Sequence, residues 1–243
     1  MNKALMLIMF LFSTSAFSSD FIEVVTEELK PLNYTEDGLI KGSATTIVRK
    51  VLNKADVPYQ IRVYPWARAY LRAENFKNIL IYTMNRSPER EPLFKWIGPV
   101  TPQKDSLSRY STSLFKLRDN TDVVAESLQD AKKYRVAVVR KDTNYDFLTS
   151  QGFSNLTLIS TRAQSIKMLL QGRVDLIMGS HPSLKEEFVL LGEPFDQVEV
   201  VLPARKAKLY MAMSIHTSDE LVGKIRKAHQ ELMLSKDILH VIE

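Results

Sequence analysis

The sequence lacks cysteine altogether, and this absence excludes several classes of protein. A disulfide scaffold, a zinc or iron–sulfur site built from thiolates and a cysteine nucleophile all require that residue. Glycine is also scarce, at 8 of 243 residues, and neither a GxGxxG fingerprint nor a Walker loop is present. Nucleotide binding through a glycine-rich loop is therefore not expected.

Histidine gives no metal or hydrolase signature either. None of the four histidines is at HExxH spacing, so we expect no metal site and no cofactor. The GxSxG turn of serine hydrolases is missing, because Gly179-Ser180-His181 does not have that spacing. We place His229 on the exposed side of the last helix and give it no role.

Charge of one sign is not concentrated in a stripe or a tail. Lys and Arg number 33 against 28 Asp and Glu, and the two signs are interspersed, as in residues 185–187 and 224–231. The one basic cluster, at residues 205–208, is short. We therefore expect a solvated surface and no nucleic-acid partner. The hydrophobic content of 45% is enough for a packed core.

The first 18 residues have the order of a secretory signal peptide. Lys3 precedes an apolar run at residues 4–12, and small residues follow it up to Ser18. The run is shorter than the roughly 20 residues that a transmembrane helix needs. We expect cleavage after Ser18 and export to the periplasm. No cysteine follows the run, so a lipoprotein anchor is not expected.

From residue 21 the apolar pattern alternates between strand-like and helix-like periods. Extended segments are predicted at residues 21–26, 59–64, 78–84, 106–114, 134–140, 155–160, 174–178, 198–202 and 209–214. Helices are predicted at residues 43–55, 65–73, 145–151, 163–171, 182–191 and 218–234. The first half reads β-α-β-α-β and the second half repeats this order. The chain is therefore predicted to be α/β, with two Rossmann-like lobes joined by two hinge strands.

The stretch at residues 82–99 is the most informative one for function. It leaves the carboxyl end of a predicted strand, where open α/β sheets place ligands. Arg86 and Arg90 lie in it. An arginine fork can hold a carboxylate through two parallel hydrogen bonds, although composition alone favours the interpretation that both arginines are exposed loop charges.

The order of motifs resembles the family 3 extracellular solute-binding proteins, the polar amino-acid-binding branch of the type II periplasmic binding proteins. Ser87-Pro88-Glu89-Arg90 followed by Phe94-Lys95-Trp96 and Gly98-Pro99 resembles the family signature. Further segments match in order, at residues 26–34, 38–42, 63–70, 128–143 and 171–177. The resemblance covers essentially residues 20–243, and it implies a bilobal protein that closes on a solute.

The resemblance also implies site residues in the first half of the chain. Arg90 falls where the family grips the ligand α-carboxylate, and Asn85 falls where a threonine commonly joins it. Trp66 falls on the aromatic wall, and Glu27 on an acidic ligand contact. Trp66 beside a proline reads equally as core. Arg68 either is solvated or faces the cleft.

In the second half, Asp142 and Thr143 fall on the loop that meets the carboxylate at a helix N-terminus. From its position alone, Asp142 is better explained as a simple helix cap than as a ligand contact. Two departures from the family stand out. Ser180 replaces the aspartate that receives an α-ammonium group, and Lys141-Asp142 replaces the usual glycine-threonine. An anion contact is therefore expected, and Glu27 is the alternative partner for an ammonium group. A standard α-amino acid is not the default ligand.

The predicted organisation is a signal peptide at residues 1–18, a first lobe at 19–103 completed by 209–243, a second lobe at 107–205, and hinges at 104–106 and 206–208. The expected function is solute binding for transport or sensing. The ligand would be a small carboxylate-bearing solute. The protein is expected to be a monomer, and its partner would be an ABC permease or a membrane sensor. The alternatives are a dehydratase-like periplasmic enzyme of the same fold and a soluble partner of a sensor.

Overall fold

The computed structural model describes residues 21–100, 111–206 and 208–235. The predicted signal peptide and the hinge at 104–106 lie outside these residues, as does residue 207 of the second hinge. No helix within the described ranges combines the length and the apolar character needed to cross a membrane.

The elements of the first half begin with a short strand, continue through a small hairpin and then alternate helix and strand. They are β1 (Ile22–Thr26), β2 (Tyr34–Glu36), β3 (Leu39–Lys41), α1 (Ser43–Lys54), β4 (Tyr59–Val63), α2 (Trp66–Asn75), β5 (Ile79–Asn85) and β6 (Phe94–Pro99). The second half supplies β7 (Thr112–Leu117), α3 (Leu128–Ala131), β8 (Val136–Val139), α4 (Thr143–Ser150), β9 (Leu156–Ile159), α5 (Arg162–Leu170), β10 (Leu176–Ser180), α6 (His181–Leu190), β11 (Val198–Arg205), β12 (Leu209–Ser214) and α7 (Asp219–Leu234).

These strands form two five-stranded sheets, which confirms the predicted α/β class. The first sheet has the order β4-β1-β5-β12-β6 and the second has the order β11-β7-β10-β8-β9. Parallel pairs form the βαβ part of each sheet, whereas β12 and β7 run antiparallel to their neighbours. The chain returns from the second sheet to the first between Arg205 and Leu209, and hinge motion at 206–208 stays a prediction.

Helices α1 and α7 pack on one face of the first sheet and bury an apolar stripe each. In α1 the buried positions Ile47, Val48, Val51 and Leu52 follow the helical period and meet Ile225 and Leu232 of α7. Burial of this apolar surface contributes about 25 cal/mol for each Å² removed from water. This packing holds β12 in the first sheet although it follows the second sheet along the chain.

Residues 94–99, where no strand is predicted from the sequence, form β6. Phe94 and Trp96 alternate with polar Lys95, and both aromatic side chains are buried. The backbone of β6 pairs with β12, more than 100 residues further along the chain. The alternation at residues 94–96 is a usable strand signal, but the segment is short and its partner strand is remote, so it is not predicted from the sequence.

Strand β5 has a bulge near its end, where its pairing with β12 is irregular. Thr83 has φ of 57°, a left-handed conformation that is unfavourable for a β-branched residue. The register against β12 shifts at this point, with Tyr210 opposite Met84 and Ala212 opposite Ile81. An extra residue in one strand bends it and redirects the side chains that follow. Asn85 ends β5 shortly after this bend, and the loop carrying Arg90 leaves the sheet from there.

His229 is buried, which corrects the prediction that it lies on the exposed side of α7. The side chain is 4% exposed, and its Nε2 lies 2.9 Å from the carbonyl oxygen of Pro99. Gly98 makes the contact possible, because a Cβ at this position would lie 2.2 Å from His229 Cε1. The histidine therefore packs α7 against β6.

Gly98→Ala is expected to destabilise the protein by about 1–3 kcal/mol, because the added methyl overlaps the His229 ring. For a chain of this size the melting temperature should fall by about 2–12 °C in calorimetry. Gly223→Ala in α7 is the matched control, because nothing lies within 4 Å of the added carbon and the helix gains propensity. Equal melting temperatures for the two variants would contradict the packing argument.

His229 should also make stability depend on pH. Burial lowers the pKa of the imidazole, and the hydrogen bond to Pro99 only partly opposes this. The unfolded chain therefore binds the proton more readily, so stability is full above about pH 6.5 and falls as the pH drops through the lowered native pKa. The free energy of unfolding in urea should fall less between about pH 7.5 and about pH 5 for His229→Gln than for the unmodified protein. An equal fall in both proteins would show that His229 does not cause the pH dependence.

Candidate functional site

A cleft between the two sheets collects residues from both. It encloses about 580 Å³ of space, part of it open to solvent. Seven of the eight predicted site residues line it, namely Glu27, Trp66, Asn85, Arg90, Asp142, Thr143 and Ser180. Additional lining residues include Thr83, Thr112, Asn144, Arg162 and Ser183.

Among the described residues of the first half, Arg90 is the most deeply buried cation, with 2% exposure. The loop after β5 holds it through a backbone bond from its N–H to the Ser87 carbonyl. Its guanidinium donates to the carbonyl oxygens of Asn85 at 3.2 Å and Lys141 at 2.5 Å. Burial lowers the pKa of Arg90, against the pull of the Asp142 carboxylate. The buried Nε of Arg90 has no hydrogen-bond partner among the described residues.

Aromatic side chains form one wall beside Arg90. The guanidinium carbon lies 4.9 Å from the Tyr70 ring centroid and 5.7 Å from that of Trp66. Trp66 is 4% exposed and lines the cleft, so it is both core and wall. Its Nε1 donates to the Lys141 carbonyl at 2.8 Å. Cation–π attraction of this kind favours a guanidinium position beside the two aromatic rings.

Lys141 and Asp142 shape the loop of the second half that faces Arg90. Lys141 has φ of 61°, which turns its carbonyl toward Arg90 and Trp66. Asp142 caps α4, because its Oδ1 accepts a hydrogen bond from the Asn144 N–H at 2.8 Å. Such a cap satisfies one of the free N–H groups of the first turn. Asp142 therefore does serve as a cap, as one of the two readings of the sequence predicts.

The start of α4 also connects the two sheets. Asn85 Nδ2 donates to Thr143 Oγ1 at 2.9 Å. Arg205, at the end of β11, donates to the same Thr143 hydroxyl and to Asn144 Oδ1. Burial lowers the pKa of Arg205, and the nearby Asp142 opposes this. A second cation thus lies behind the loop that faces Arg90.

Glu27 and Arg162 form a bidentate ion pair across the cleft. Arg162 Nη1 and Nη2 lie 2.6 and 3.0 Å from the two carboxylate oxygens of Glu27. Burial raises the pKa of the Glu27 carboxyl, and Arg162 works against that rise. Burial alone lowers the pKa of Arg162, but Glu27 and Asp142 outweigh it and raise the pKa. Glu27 is therefore occupied by a protein cation.

Arg68 does not line the cleft. It is exposed on α2, and its guanidinium carbon lies 4.6 Å from the Tyr64 ring centroid. Arg86 is also directed elsewhere, since it pairs with Glu91 and lies over Trp96. Of the three arginines considered for the cleft, the structure places only Arg90 in it.

Sequence reasoning missed Arg162 and Arg205. Arg162 had a usable signal, since it opens a helix directly after β9 and Thr161 with Gln164 forms a capping box. Arg205 had no such signal, because it sits in a basic cluster that reads as surface. Within the described ranges, no group of three or more His, Asp and Glu residues is arranged to hold a metal ion.

Comparison with known proteins rests on structure alone. No protein-family model matches the sequence, and no curated protein matches it. Among solved structures, a histidine kinase sensor domain with similarity to periplasmic binding proteins has a TM-score of 0.77 and 16% identity, over 91% of this chain and 93% of the other. An ancestral arginine-binding protein bound to arginine has a TM-score of 0.73 and 16% identity, over 91% and 96%.

An amino-acid ABC transporter substrate-binding protein from Streptococcus pneumoniae, bound to L-arginine, has a TM-score of 0.72 and 18% identity, over 93% of this chain and 94% of the other. These identities are low, whereas coverage of both chains is nearly complete. The chain therefore has the type II periplasmic binding protein fold.

Proposed function

We propose that this protein binds a small carboxylate-bearing solute by closing its two lobes around it, for transport or sensing. The observation that carries the proposal is Arg90, a buried guanidinium that faces a cleft between the sheets and keeps an unpaired N–H. An arginine buried with free donors is suited to a ligand carboxylate, because charge-assisted hydrogen bonds strengthen away from water.

Closure would act through contacts that bridge the sheets. Asn85 meets Thr143, and both Trp66 and Arg90 meet the Lys141 carbonyl. A ligand held by groups of both lobes favours the arrangement in which those groups are close. The similar structures support both uses, since one belongs to an ABC transporter and another to a histidine kinase. A permease or a membrane sensor is the partner that fits these uses.

Binding fits the cleft better than catalysis does. A dehydratase would need a carboxylate free to move protons. The two carboxylates that line the cleft are Glu27, paired with Arg162, and Asp142, which caps α4. Neither is left as a free proton carrier.

A thermal-shift screen tests the proposal. Small mono- and dicarboxylates are compared with their primary amides, which keep the shape and remove the charge. A ligand at about 100 times its Kd should add about 2.7 kcal/mol of stability. We expect carboxylates to raise the melting temperature and amides to leave it unchanged. Equal shifts for acid and amide would contradict the role of Arg90.

Export is a separate part of the proposal. The periplasmic location depends on the predicted signal peptide, with cleavage after Ser18. Mass spectrometry of the protein recovered from the periplasm should give a mature chain that begins at Ser19. A chain that stays in the cytoplasm at full length would refute this assignment.

A further inference from the structure

The carboxylates that line the cleft all have protein partners, whereas one arginine N–H has none among the described residues. Both carboxylates that line it are committed, Glu27 to the fork of Arg162 and Asp142 to the cap of α4. Asp142 Oδ2 also lies 3.5 Å from Arg162 Nη2. Arg90 donates to two carbonyl oxygens and lies 3.8 Å from Asp146, which is outside the lining, but its buried Nε has no partner among the described residues. The described lining thus offers free donors and no free carboxylate.

A pair of hydroxyl groups from the second sheet faces the same cleft. Thr112 opens β7 and lies opposite Ser180 of β10 in an antiparallel register. Cross-strand neighbours in such a pair present their side chains on one face. Thr112 is 7% exposed, and its buried Oγ1 has no partner among the described residues. Ser180 precedes α6, yet its side chain does not cap that helix.

The paired carboxylates and the two hydroxyl groups disfavour a ligand that carries an ammonium group. An ammonium group brought into this cleft would lose its water and find no free carboxylate to replace it. A buried charge without a counter-charge is costly, whereas a neutral oxygen needs only a hydrogen bond. Serine and threonine hydroxyls both donate and accept, so they suit a ligand hydroxyl and a ligand carbonyl equally.

We infer that the ligand is a hydroxy or oxo acid, whose carboxylate meets Arg90 and whose neutral oxygen meets the hydroxyls of Thr112 and Ser180. This inference rests on the proposed function and narrows it to one chemical class. It assigns Thr112 as a specificity-determining residue and gives Ser180 a positive role in place of a missing carboxylate.

Titration calorimetry on matched pairs tests the inference. Each pair shares a carbon skeleton and differs in one group: lactate and alanine, glycerate and serine, malate and aspartate, 2-hydroxyglutarate and glutamate. Pyruvate, 2-oxoglutarate and the unsubstituted acids propionate, succinate and glutarate complete the set. We expect the best hydroxy or oxo acid to bind at least about 10-fold more tightly than its amino and unsubstituted counterparts.

Two variants add an independent readout. Thr112→Val keeps the shape, removes the hydroxyl and should weaken the hydroxy or oxo acid, whereas Thr112→Ser should retain its affinity. Ser180→Asp supplies a carboxylate and should shift the preference toward the amino acid. Ser154→Asp is the matched control, because Ser154 is exposed in the same half of the chain, and it should leave the preference unchanged.

The outcomes separate the two proposals. Amino acids that bind as tightly as their hydroxy partners, or unsubstituted acids that do so, overturn the ligand class and leave carboxylate binding in place. Binding of no acid in the set overturns the proposed function, and the ligand class fails with it. The comparison on the unmodified protein decides the question even if a variant does not fold.

Discussion

Arg90→Ala is expected to weaken the binding of a carboxylate ligand by about 100-fold or more. Each hydrogen bond to a charged group contributes about 1.5–3 kcal/mol, and a guanidinium fork makes two of them with a carboxylate. The loss should appear in titration calorimetry as an absence of measurable heat. Arg90→Lys should restore only part of the affinity, because an ammonium group cannot form the bidentate contact.

Arg68→Ala is the matched control for Arg90→Ala. Arg68 also lies beside an aromatic ring in the first half of the chain, but it is exposed and outside the cleft. We expect its removal to leave affinity unchanged. If Arg68→Ala weakened binding as strongly as Arg90→Ala, the ligand would not sit where the cleft lies. Circular dichroism of both variants checks that the fold is intact.

Glu27→Gln is expected to cost about 3–5 kcal/mol of stability, because it leaves Arg162 with much of its buried charge unpaired. For a chain of this length, that corresponds to a drop in melting temperature of about 6–20 °C. The double variant Glu27→Gln with Arg162→Gln should recover much of the loss, since neither charge is then left alone.

Glu231→Gln provides the comparison for Glu27→Gln. Glu231 pairs with Lys54 at 3.1 Å, but both side chains are exposed. Ion pairs of this kind contribute little to stability. If Glu27→Gln lowered the free energy of unfolding as little as Glu231→Gln does, the Glu27–Arg162 pair would not stabilise the contact between the lobes.

Part of the candidate site was predictable from the order of elements. Asn85 ends β5 and Arg90 lies in the loop that follows it, and ligands of open α/β sheets bind at the carboxyl ends of the strands. Asp142, Thr143 and Ser180 belong to the second sheet, and they were predicted from the resemblance to solute-binding proteins. The structure brings all five residues to one cleft.

What could not be predicted depends on partners far along the chain. Arg162 meets Glu27 across 135 positions, and β6 pairs with β12 across more than 100. His229 is a different case. It lies four residues after Ile225 and three before Leu232, both buried on α7. The helical period therefore placed it on the apolar face, and its polar side chain led to the wrong prediction.

The left-handed conformation of Lys141 would make carboxylate binding at Arg90 an exchange of hydrogen-bond partners. Its carbonyl already accepts hydrogen bonds from Arg90 and Trp66. Under the proposed function, a carboxylate that reached Arg90 would compete with this carbonyl, so its affinity would be the difference between two contacts of the same guanidinium. This competition would make selectivity depend on whether a ligand can replace the Lys141 carbonyl as the partner of Arg90.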